Sequence, residues 1–345
     1  MDKLLKGMYL IWPDEEYIDK AINAGIDTLL VTLHSLRPDR PQSSFGTYQE
    51  TVDILRMCNV KGVKVFIVPT MVHQMYWGDL SIPESERFFN GTKRLRTPCP
   101  TSKEAIRLAF EYVIPLFHLG LYSGLILDME EYGCGQIADI LPYHRDFGMD
   151  YTCRCNRCAG LSSKDQRRTH SQNLLTFLSA EKITVTGLMP YDNPYLWKAF
   201  VNETWWFTET TYDKFKVWDR VLKYTWQNKY KYGSKVKLIS AGLWVERFYA
   251  GTFLEHLKLV GKSSTIDGIW IYPQARMSKH SPFHEGVTDP ELAKLSNYYT
   301  SLIDSNAKEA DPDFFNKLKE AFKEIEKSRN SWWFSIHRMI SNIFR

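Results

Sequence analysis

The chain has 345 residues, 44% of them hydrophobic, which is enough to fill the core of one large domain or two ordinary ones. The formal net charge is +4, and Lys and Arg are interspersed with Asp and Glu, which excludes the basic patch of a nucleic-acid-binding protein. No apolar stretch approaches the roughly 18 residues that a membrane-spanning helix needs. We recognise no signal peptide and expect a cytoplasmic protein, or a secreted one if a signal peptide has been removed.

Apolar runs of strand length alternate with helical patterns along most of the chain. We predict eight strands, at residues 7–12, 27–34, 64–72, 122–130, 183–190, 204–210, 236–246 and 266–273. Several of the helical patterns between them end in Gly just before the next strand, as helix C-termini commonly do. The alternation predicts an α/β fold, and eight such units over about 290 residues have the size of a TIM (β/α)8 barrel.

The alternative fold is a doubly wound open sheet. However, the first predicted strand is followed by "LIWPDEE" rather than by a Gly-rich turn, which argues against dinucleotide binding. After the last strand the chain continues in helical patterns. We therefore predict a barrel domain at 1–305 and a C-terminal helical extension at 306–345. The basic, amphipathic end of this extension is expected to pack against the barrel, with a membrane surface or a partner chain as the alternatives.

Acidic residues are concentrated where the fourth predicted strand ends. Its apolar segment leads to Asp128, Glu130 and Glu131. Clustered acids at the end of a buried strand are costly unless a charged, protonated or metallic group meets them. Because side chains alternate along a strand, Asp128 and Glu130 should point into the barrel mouth, whereas Glu131 should lie on the opposite face. In this fold, active sites form at the C-terminal ends of the strands.

The same alternation places further acids and rings at the predicted rim. On the seventh strand, Ser240, Gly242, Trp244 and Glu246 should face inward, and Glu209 ends the sixth strand. Other residues at the ends of predicted strands, or in the loops that follow them, could contact a substrate: Trp12, His34, Trp77, Tyr191, Asp192, Trp244, Trp270 and Tyr272.

Acids at close quarters can retain a proton at neutral pH, because two carboxylates do not both ionise cheaply and burial raises their pKa further. One acid can then protonate a leaving oxygen while another acts as nucleophile or base, which is the division of labour in glycoside hydrolysis. Aromatic rings supply flat apolar platforms for sugars. The pattern therefore predicts a glycoside hydrolase acting on a poly- or oligosaccharide, with four candidate catalytic residues: Glu130, Asp128, Glu246 and Glu209.

The segment "SGLILDMEEY" resembles the fourth strand of chitinase-like glycoside hydrolases, whose motif runs Asp-Gly-x-Asp-x-Asp-x-Glu. Gly124, Asp128 and Glu130 match this motif, and Ser123 and Ile126 replace its first two aspartates. "LMPYDN" likewise resembles the Met-x-Tyr-Asp motif of these enzymes, which they carry on the sixth strand rather than on the fifth. The two motifs cover about a tenth of the chain.

The resemblance implies that Glu130 is the general acid, that Asp128 orients a substrate N-acetyl group and that Tyr191 helps to hold the intermediate. A wider group of TIM-barrel hydrolases, which carry acids on strands four and seven, implies instead Glu130 as acid/base and Glu246 as nucleophile. Those enzymes usually have Asn where this chain has Met129. A barrel without catalysis that binds carbohydrate or serves a structural role is the alternative function. A metal-dependent hydrolase would need His-x-His on the first strand, which is absent.

Four cysteines follow the fourth predicted strand, namely Cys134, Cys153, Cys155 and Cys158. Four thiols can form a tetrahedral zinc site, and Cys-x2-Cys is a common half of one. Structural zinc, disulfides and free thiols all remain open, and His144 could replace one thiol. A zinc ion held only by thiolates would brace the loop rather than take part in catalysis, for which we expect no cofactor. The sequence gives no indication of the oligomeric state.

Overall fold

The computed structural model describes residues 3–10, 15–32, 48–68, 84–89, 92–99, 101–110, 113–128, 149–150, 155–189, 204–210, 236–244, 250–272 and 313–343. These residues fall into two compact units, each of which is discontinuous in sequence. The first comprises Met1–Val31, Asp53–Phe66 and Asn202–Arg345, and the second comprises Thr32–Val52 and Ile67–Val201.

Eight strands among the described residues coincide with the eight predicted ones. They are β1 (Leu5–Leu10), β2 (Thr28–Thr32), β3 (Lys64–Val68), β6 (Gly124–Asp128), β8 (Val185–Met189), β9 (Thr204–Thr210), β10 (Val236–Trp244) and β11 (Gly268–Tyr272). Their order by hydrogen-bonded neighbours is β1-β11-β10-β9-β8-β6-β3-β2, which is the circular order of a (β/α)8 barrel. The predicted fold class is confirmed.

Eight helices lie in the described part of the chain. They are α1 (Glu15–Asn23), α2 (Tyr48–Val60), α3 (Lys103–Phe110), α4 (Val113–His118), α5 (Ser163–Ala180), α6 (Ala250–Gly261), α7 (Phe314–Arg329) and α8 (Trp332–Ile343). Two of them, α3 and α4, lie within one helical sequence pattern at 102–120. None of the described helices is long and apolar enough to cross a membrane.

Helix α2 and helix α5 end with the same pattern of backbone hydrogen bonds. After α2, Gly62 N–H donates to the Asn59 carbonyl and Val63 N–H donates to the Cys58 carbonyl, and Gly62 has φ +70°. After α5, Lys182 N–H and Ile183 N–H make the equivalent bonds. Lys182 has φ 55°, in the left-handed region that favours glycine. The glycine that ends several of the predicted helical patterns is thus present after α2, and a lysine adopts the same left-handed conformation after α5.

In the first unit, helix α7 packs against α1 and α6. Its buried side chains recur at helical spacing, with Leu318, Ala321, Phe322 and Ile325 at most 3% exposed. Helix α7 lies within 306–345, the predicted extension, and covers the helices that follow two barrel strands. The boundary at 305/306 stays a prediction.

The buried guanidinium of Arg329 joins the end of α7 to the turn between α6 and β11. It donates to the carbonyls of Gly261 (2.9 Å), Ser263 (3.1 Å) and Ile266 (3.2 Å). The Phe334 ring centroid lies 4.5 Å from its central carbon. Burial lowers the pKa of Arg329 to about 10, so the side chain is charged at neutral pH. One side chain thus donates to carbonyls at and after a helix C-terminus, where the last carbonyls have no partner within the helix.

The second unit contains an antiparallel sheet whose strands are not among the eight predicted ones. It consists of β4 (Glu84–Phe89), β5 (Thr92–Pro98) and β7 (Met149–Asp150), in the order β5-β4-β7. Phe89 pairs with Thr92, so Asn90-Gly91 is the two-residue connection between β4 and β5. Asn-Gly is the strongest short-range signal for a hairpin, and it could have revealed these strands.

Candidate active site

Five of the predicted site residues lie at or near the C-terminal ends of barrel strands. Asp128, Trp244 and Tyr272 are the last residues of β6, β10 and β11. Glu209 is the next to last residue of β9, and Trp270 lies two residues before the end of β11. Their backbone positions are those from which a TIM barrel builds an active site.

Within the first unit, three of these strand ends are neighbours. Trp244 is the register partner of Tyr272 in the parallel pair of β10 and β11. On the other side of β10, Gly242 pairs with Thr210, the residue that follows Glu209 in β9. The backbone therefore brings the predicted catalytic acid Glu209 and two predicted sugar-binding aromatics to adjacent strand ends.

Contacts of β1 and β11 distinguish the face of the barrel strands that the helices cover from the opposite face. Lys6 of β1 is 6% exposed, and its Nζ lies 2.6 Å from Oε1 of Glu326 on helix α7. A Cβ at Gly261 of helix α6 would lie 2.9 Å from Cδ1 of Ile269. Lys6 and Ile269 thus lie on the helix-covered face, and they are register partners in β1 and β11.

Residues of the opposite parity lie on the face away from these helices. In register across β1, β11 and β10 they form two rows, Leu5-Gly268-Ser240 and Gly7-Trp270-Gly242. This arrangement agrees with the predicted alternation along the seventh barrel strand, in which Ser240 and Gly242 face away from the helices.

Trp270 is flanked by glycine on both neighbouring strands, because Gly7 and Gly242 are its register partners. A Cβ at Gly7 would lie 3.0 Å from the Cβ of Trp270, closer than most Cβ contacts, so a larger residue at Gly7 would require Trp270 to shift. The Trp270 side chain is 3% exposed, and its ring centroid lies 6.0 Å from that of Tyr9. Trp270 is a buried aromatic residue on the predicted substrate-binding face, and its contact with a substrate stays a prediction.

Within the second unit, strand β6 pairs in parallel with β8. Asp128 is the register partner of Met189, the last residue of β8. Leu125, Ile126 and Leu127, which precede Asp128, are at most 2% exposed, so the acid ends a fully buried strand. Leu188 and Met189, the first two residues of "LMPYDN", thus pair with Leu127 and Asp128 of "SGLILDMEEY".

The remaining predicted site residues lie outside the described residues. They are Glu130, Glu246, Trp12, His34, Trp77, Tyr191, Asp192, Cys134 and Cys153. Their assignments stay predictions.

The structure brings together three cysteines of the second unit, one of which the sequence analysis missed. Sγ of Cys99 lies 3.5 Å from Sγ of Cys158 and 3.5 Å from Sγ of Cys155. The three sulfur atoms all lie within 4.8 Å of one another, and the side chains are 1%, 8% and 2% exposed for Cys99, Cys155 and Cys158. We call Cys99, Cys155 and Cys158 the cysteine cluster. Cys99 precedes Cys155 by 56 residues, so the spacing within "CRCNRC" gave no signal for it.

A fourth buried thiol, Cys58 of α2, belongs to the first unit. Burial raises the pKa of Cys58 to about 11, with smaller opposing effects of Lys61 and Asp19. A protonated thiol in the core is an inert packing group. Cys58 is therefore a buried thiol with which the thiols of the cysteine cluster can be compared.

Comparison with known proteins gives similarity of fold only. No family model matches the chain, and no curated protein matches it in sequence. Similar solved structures include a cycloalternan-degrading enzyme from Trueperella pyogenes, with 10% identity, a TM-score of 0.46 and coverage of 94% of this chain and 48% of that chain. The chain thus spans about half the length of that enzyme.

Two other solved structures match most of both chains. A β-N-acetylhexosaminidase has 12% identity, a TM-score of 0.45 and coverage of 95% of this chain and 77% of that chain. A D-allulose 3-epimerase from Methylomonas sp. has 16% identity, a TM-score of 0.43 and coverage of 95% and 99%. The activities of these proteins differ, and similarity at this level carries no conclusion about the reaction of this chain.

Proposed function

We propose that the protein is a glycoside hydrolase that cleaves O-glycosidic bonds of a poly- or oligosaccharide, with Glu130 as the proton donor. The observation that carries the proposal is the end of β6, where a fully buried strand stops at Asp128. Glu130 follows two residues later in sequence. A carboxyl group beside another carboxylate at such a strand end can retain its proton at neutral pH and deliver it to a leaving oxygen.

Two further observations support this proposal. Asp128 and Met189 are register partners, which supports a shared site for Asp128, Tyr191 and Asp192. On β9, β10 and β11, the backbone positions of Glu209, Trp244 and Tyr272 offer an acid and two rings at neighbouring strand ends. Carbohydrate sites combine such polar groups with flat apolar rings.

Two assignments of the second catalytic group distinguish the mechanisms. If the substrate carries an N-acetyl group at C2, Asp128 orients that group for attack on the anomeric carbon and Tyr191 contacts the intermediate. If it carries a hydroxyl group, Glu246 is the nucleophile and Glu130 then acts as acid and base in turn. In both cases Glu130 protonates the oxygen of the bond that breaks.

The test is release of reducing ends from a panel of polysaccharides and aryl glycosides, in pairs that differ only in a C2 N-acetyl or C2 hydroxyl group. We expect the wild-type protein to hydrolyse members of one class, and that class selects Asp128 or Glu246 as the partner of Glu130. If no glycoside of either class is cleaved while glycans still bind in titration calorimetry, the protein is a carbohydrate-binding barrel without catalysis and the proposal is wrong.

A further inference from the structure

The cysteine cluster has the dimensions of a metal site with sulfur ligands. In a tetrahedral site with Zn–S bonds of about 2.3 Å, neighbouring sulfur atoms lie about 3.8 Å apart. Two of the Sγ–Sγ distances in the cluster are 3.5 Å, and the third is below 4.8 Å. Small movements of the side chains would place all three sulfur atoms at the corners of one tetrahedron.

Two tight turns position the three sulfur atoms. Cys158 N–H donates to the Cys155 carbonyl at 2.8 Å, which closes the Cys-x2-Cys turn just before α5. Ser102 N–H donates to the Cys99 carbonyl at 3.0 Å, in the turn between β5 and α3. Arg157 Nη1 joins the two turns by donating to Ser102 Oγ at 3.2 Å. The backbone thus holds the ligand atoms before any ion binds.

The Thr101 hydroxyl provides a polar contact behind two of the thiols. Its Oγ1 lies 3.2 Å from Sγ of Cys99 and 3.4 Å from Sγ of Cys158. Asn173 of α5 holds this segment in place by donating to the Thr101 carbonyl at 3.0 Å. A hydroxyl that donates to a thiolate stabilises its negative charge, as outer partners of metal ligands commonly do.

We propose that Cys99, Cys155 and Cys158 bind a structural zinc ion as three thiolate ligands. Each thiol loses its proton to solvent when its sulfur bonds to the metal, and no group is oxidised or reduced. Soft thiolate ligands in tetrahedral arrangement favour Zn²⁺ over Mg²⁺ or Ca²⁺.

The ion would connect the residue that follows β5 with the turn that precedes α5. These two segments carry the N-terminal ends of α3 and α5, two helices that pack on each other through Phe110 and Phe177, whose ring centroids lie 5.3 Å apart. A disulfide would connect only two of the three cysteines and leave one thiol behind. Zinc would bind all three thiols. After unfolding in the presence of a chelator, all three thiols of a zinc site can react with an alkylating reagent, whereas a disulfide leaves only one thiol to react.

The first experiment measures metal in the full chain purified with zinc and without chelator. We expect about one zinc per chain by elemental analysis. On replacement by Co²⁺, we expect the sulfur-to-cobalt charge-transfer band of thiolate ligation and the intense visible bands of tetrahedral geometry. Less than one fifth of an equivalent of zinc together with absence of the charge-transfer band would overturn the proposal.

Matched alanine variants identify the ligands. Cys99→Ala, Cys155→Ala and Cys158→Ala should each lower zinc content at least fivefold at a fixed chelator concentration. Cys58→Ala removes an equally buried thiol from the first unit and should keep full zinc content. Unchanged zinc in Cys99→Ala would contradict the assignment, because Cys99 is the ligand that only the structure identifies.

A measurement on the wild-type protein covers the case in which the variants do not fold. Zinc should protect Cys99, Cys155 and Cys158 from alkylation under native conditions, and a chelator should raise their modification at least tenfold in peptide mass spectra. After denaturation in the presence of chelator, all three thiols should be alkylated without prior reduction. A peptide pair linked by a disulfide between any two of them would contradict the zinc site.

Discussion

The two compact units bury their polar and ionisable groups in different ways. In the first unit, Lys6 and Arg329 are each 6% exposed. Lys6 contacts the carboxylate of Glu326 on helix α7, and Arg329 donates to carbonyls of the turn before β11. In the second unit, the cysteine cluster buries three thiols against one another and against Thr101. The charges of Lys6 and Arg329 are thus satisfied within the chain, whereas the cysteine cluster presents a set of ligand atoms that a metal ion would complete.

Replacing Arg329 by methionine removes the buried guanidinium of the first unit and is expected to have the largest effect on stability. The substitution keeps an apolar side chain of similar length but leaves the carbonyls of Gly261, Ser263 and Ile266 without their donor. We expect the free energy of unfolding to fall by at least about 3 kcal/mol in urea titrations. Zinc content per folded molecule should not change, because the cysteine cluster belongs to the other unit.

The matched control lies on the same helix. Lys323 pairs with Glu320 at the surface, where both side chains are at least 60% exposed. Lys323→Met should therefore change the free energy of unfolding by less than about 0.5 kcal/mol. Equal stability of Arg329→Met and wild type would show that the three carbonyls do not depend on this guanidinium.

Cys58 sharpens the contrast between a buried thiol of the core and the cysteine cluster. Its folded-state pKa is raised by burial to about 11, from a usual value of 9.0. The stabilisation that this shift represents is complete below pH 9 and is lost as the pH rises toward 11, since the unfolded chain then ionises first. Cys58→Ala lacks this dependence. The stability advantage of wild type over Cys58→Ala should shrink by up to about 2 to 3 kcal/mol between pH 8 and pH 11.

The readout is the difference between the two proteins in urea titrations at each pH, because the titration of all other groups then cancels. Parallel curves for wild type and Cys58→Ala across this range would show that the Cys58 thiol ionises as readily in the folded as in the unfolded state.

The smallest predicted effect compares a helix end in each unit. Lys182 after α5 adopts the left-handed conformation that Gly62 adopts after α2, with the same pattern of hydrogen bonds. In this conformation a side chain raises the free energy of the folded state by about 1 kcal/mol. Glycine avoids this strain, but part of the gain is lost because glycine has greater conformational freedom in the unfolded chain. We expect Lys182→Gly to stabilise the protein by about 0.5 kcal/mol and the reverse exchange, Gly62→Lys, to destabilise it by about the same amount.

A Cβ at Gly62 would have no neighbour within 4 Å, so the cost of Gly62→Lys arises from the backbone rather than from a clash. Thermal unfolding of the two variants checks both signs. A lower melting temperature for Lys182→Gly would mean that the lysine side chain contributes more than its backbone conformation costs.

The barrel strands could be predicted from sequence because each is an apolar run separated from the next by a helical pattern. Strand β6, with three consecutive residues at most 2% exposed, is the clearest case. Strands β4, β5 and β7 lack such runs, and only the Asn90-Gly91 connection indicates a hairpin. These strands pair through backbone hydrogen bonds, and their pairing cannot be inferred from the pattern of apolar residues.

The candidate sites were predictable to the extent that they depend on local spacing. Cys155 and Cys158 form a recognisable pair, whereas Cys99 joins them only through the pairing of two turns that are far apart in sequence. At the barrel, the place of Asp128 at a strand end followed from the apolar run before it. The glycines that flank Trp270 come from neighbouring strands, and their contact depends on sheet register, which single-strand patterns do not specify.

The most direct test of the central proposal compares Glu130→Gln with Glu131→Gln. Both substitutions remove one carboxylate from the same segment, but the alternation along the fourth barrel strand assigns only Glu130 to the predicted site. On a substrate that wild type hydrolyses, Glu130→Gln should lower kcat/KM by about 100- to 10,000-fold, and Glu131→Gln should lower it less than about fivefold. The loss in Glu130→Gln should shrink on an aryl glycoside whose leaving group needs no protonation. Equal activity of the two variants on every substrate would contradict the role of Glu130 as proton donor.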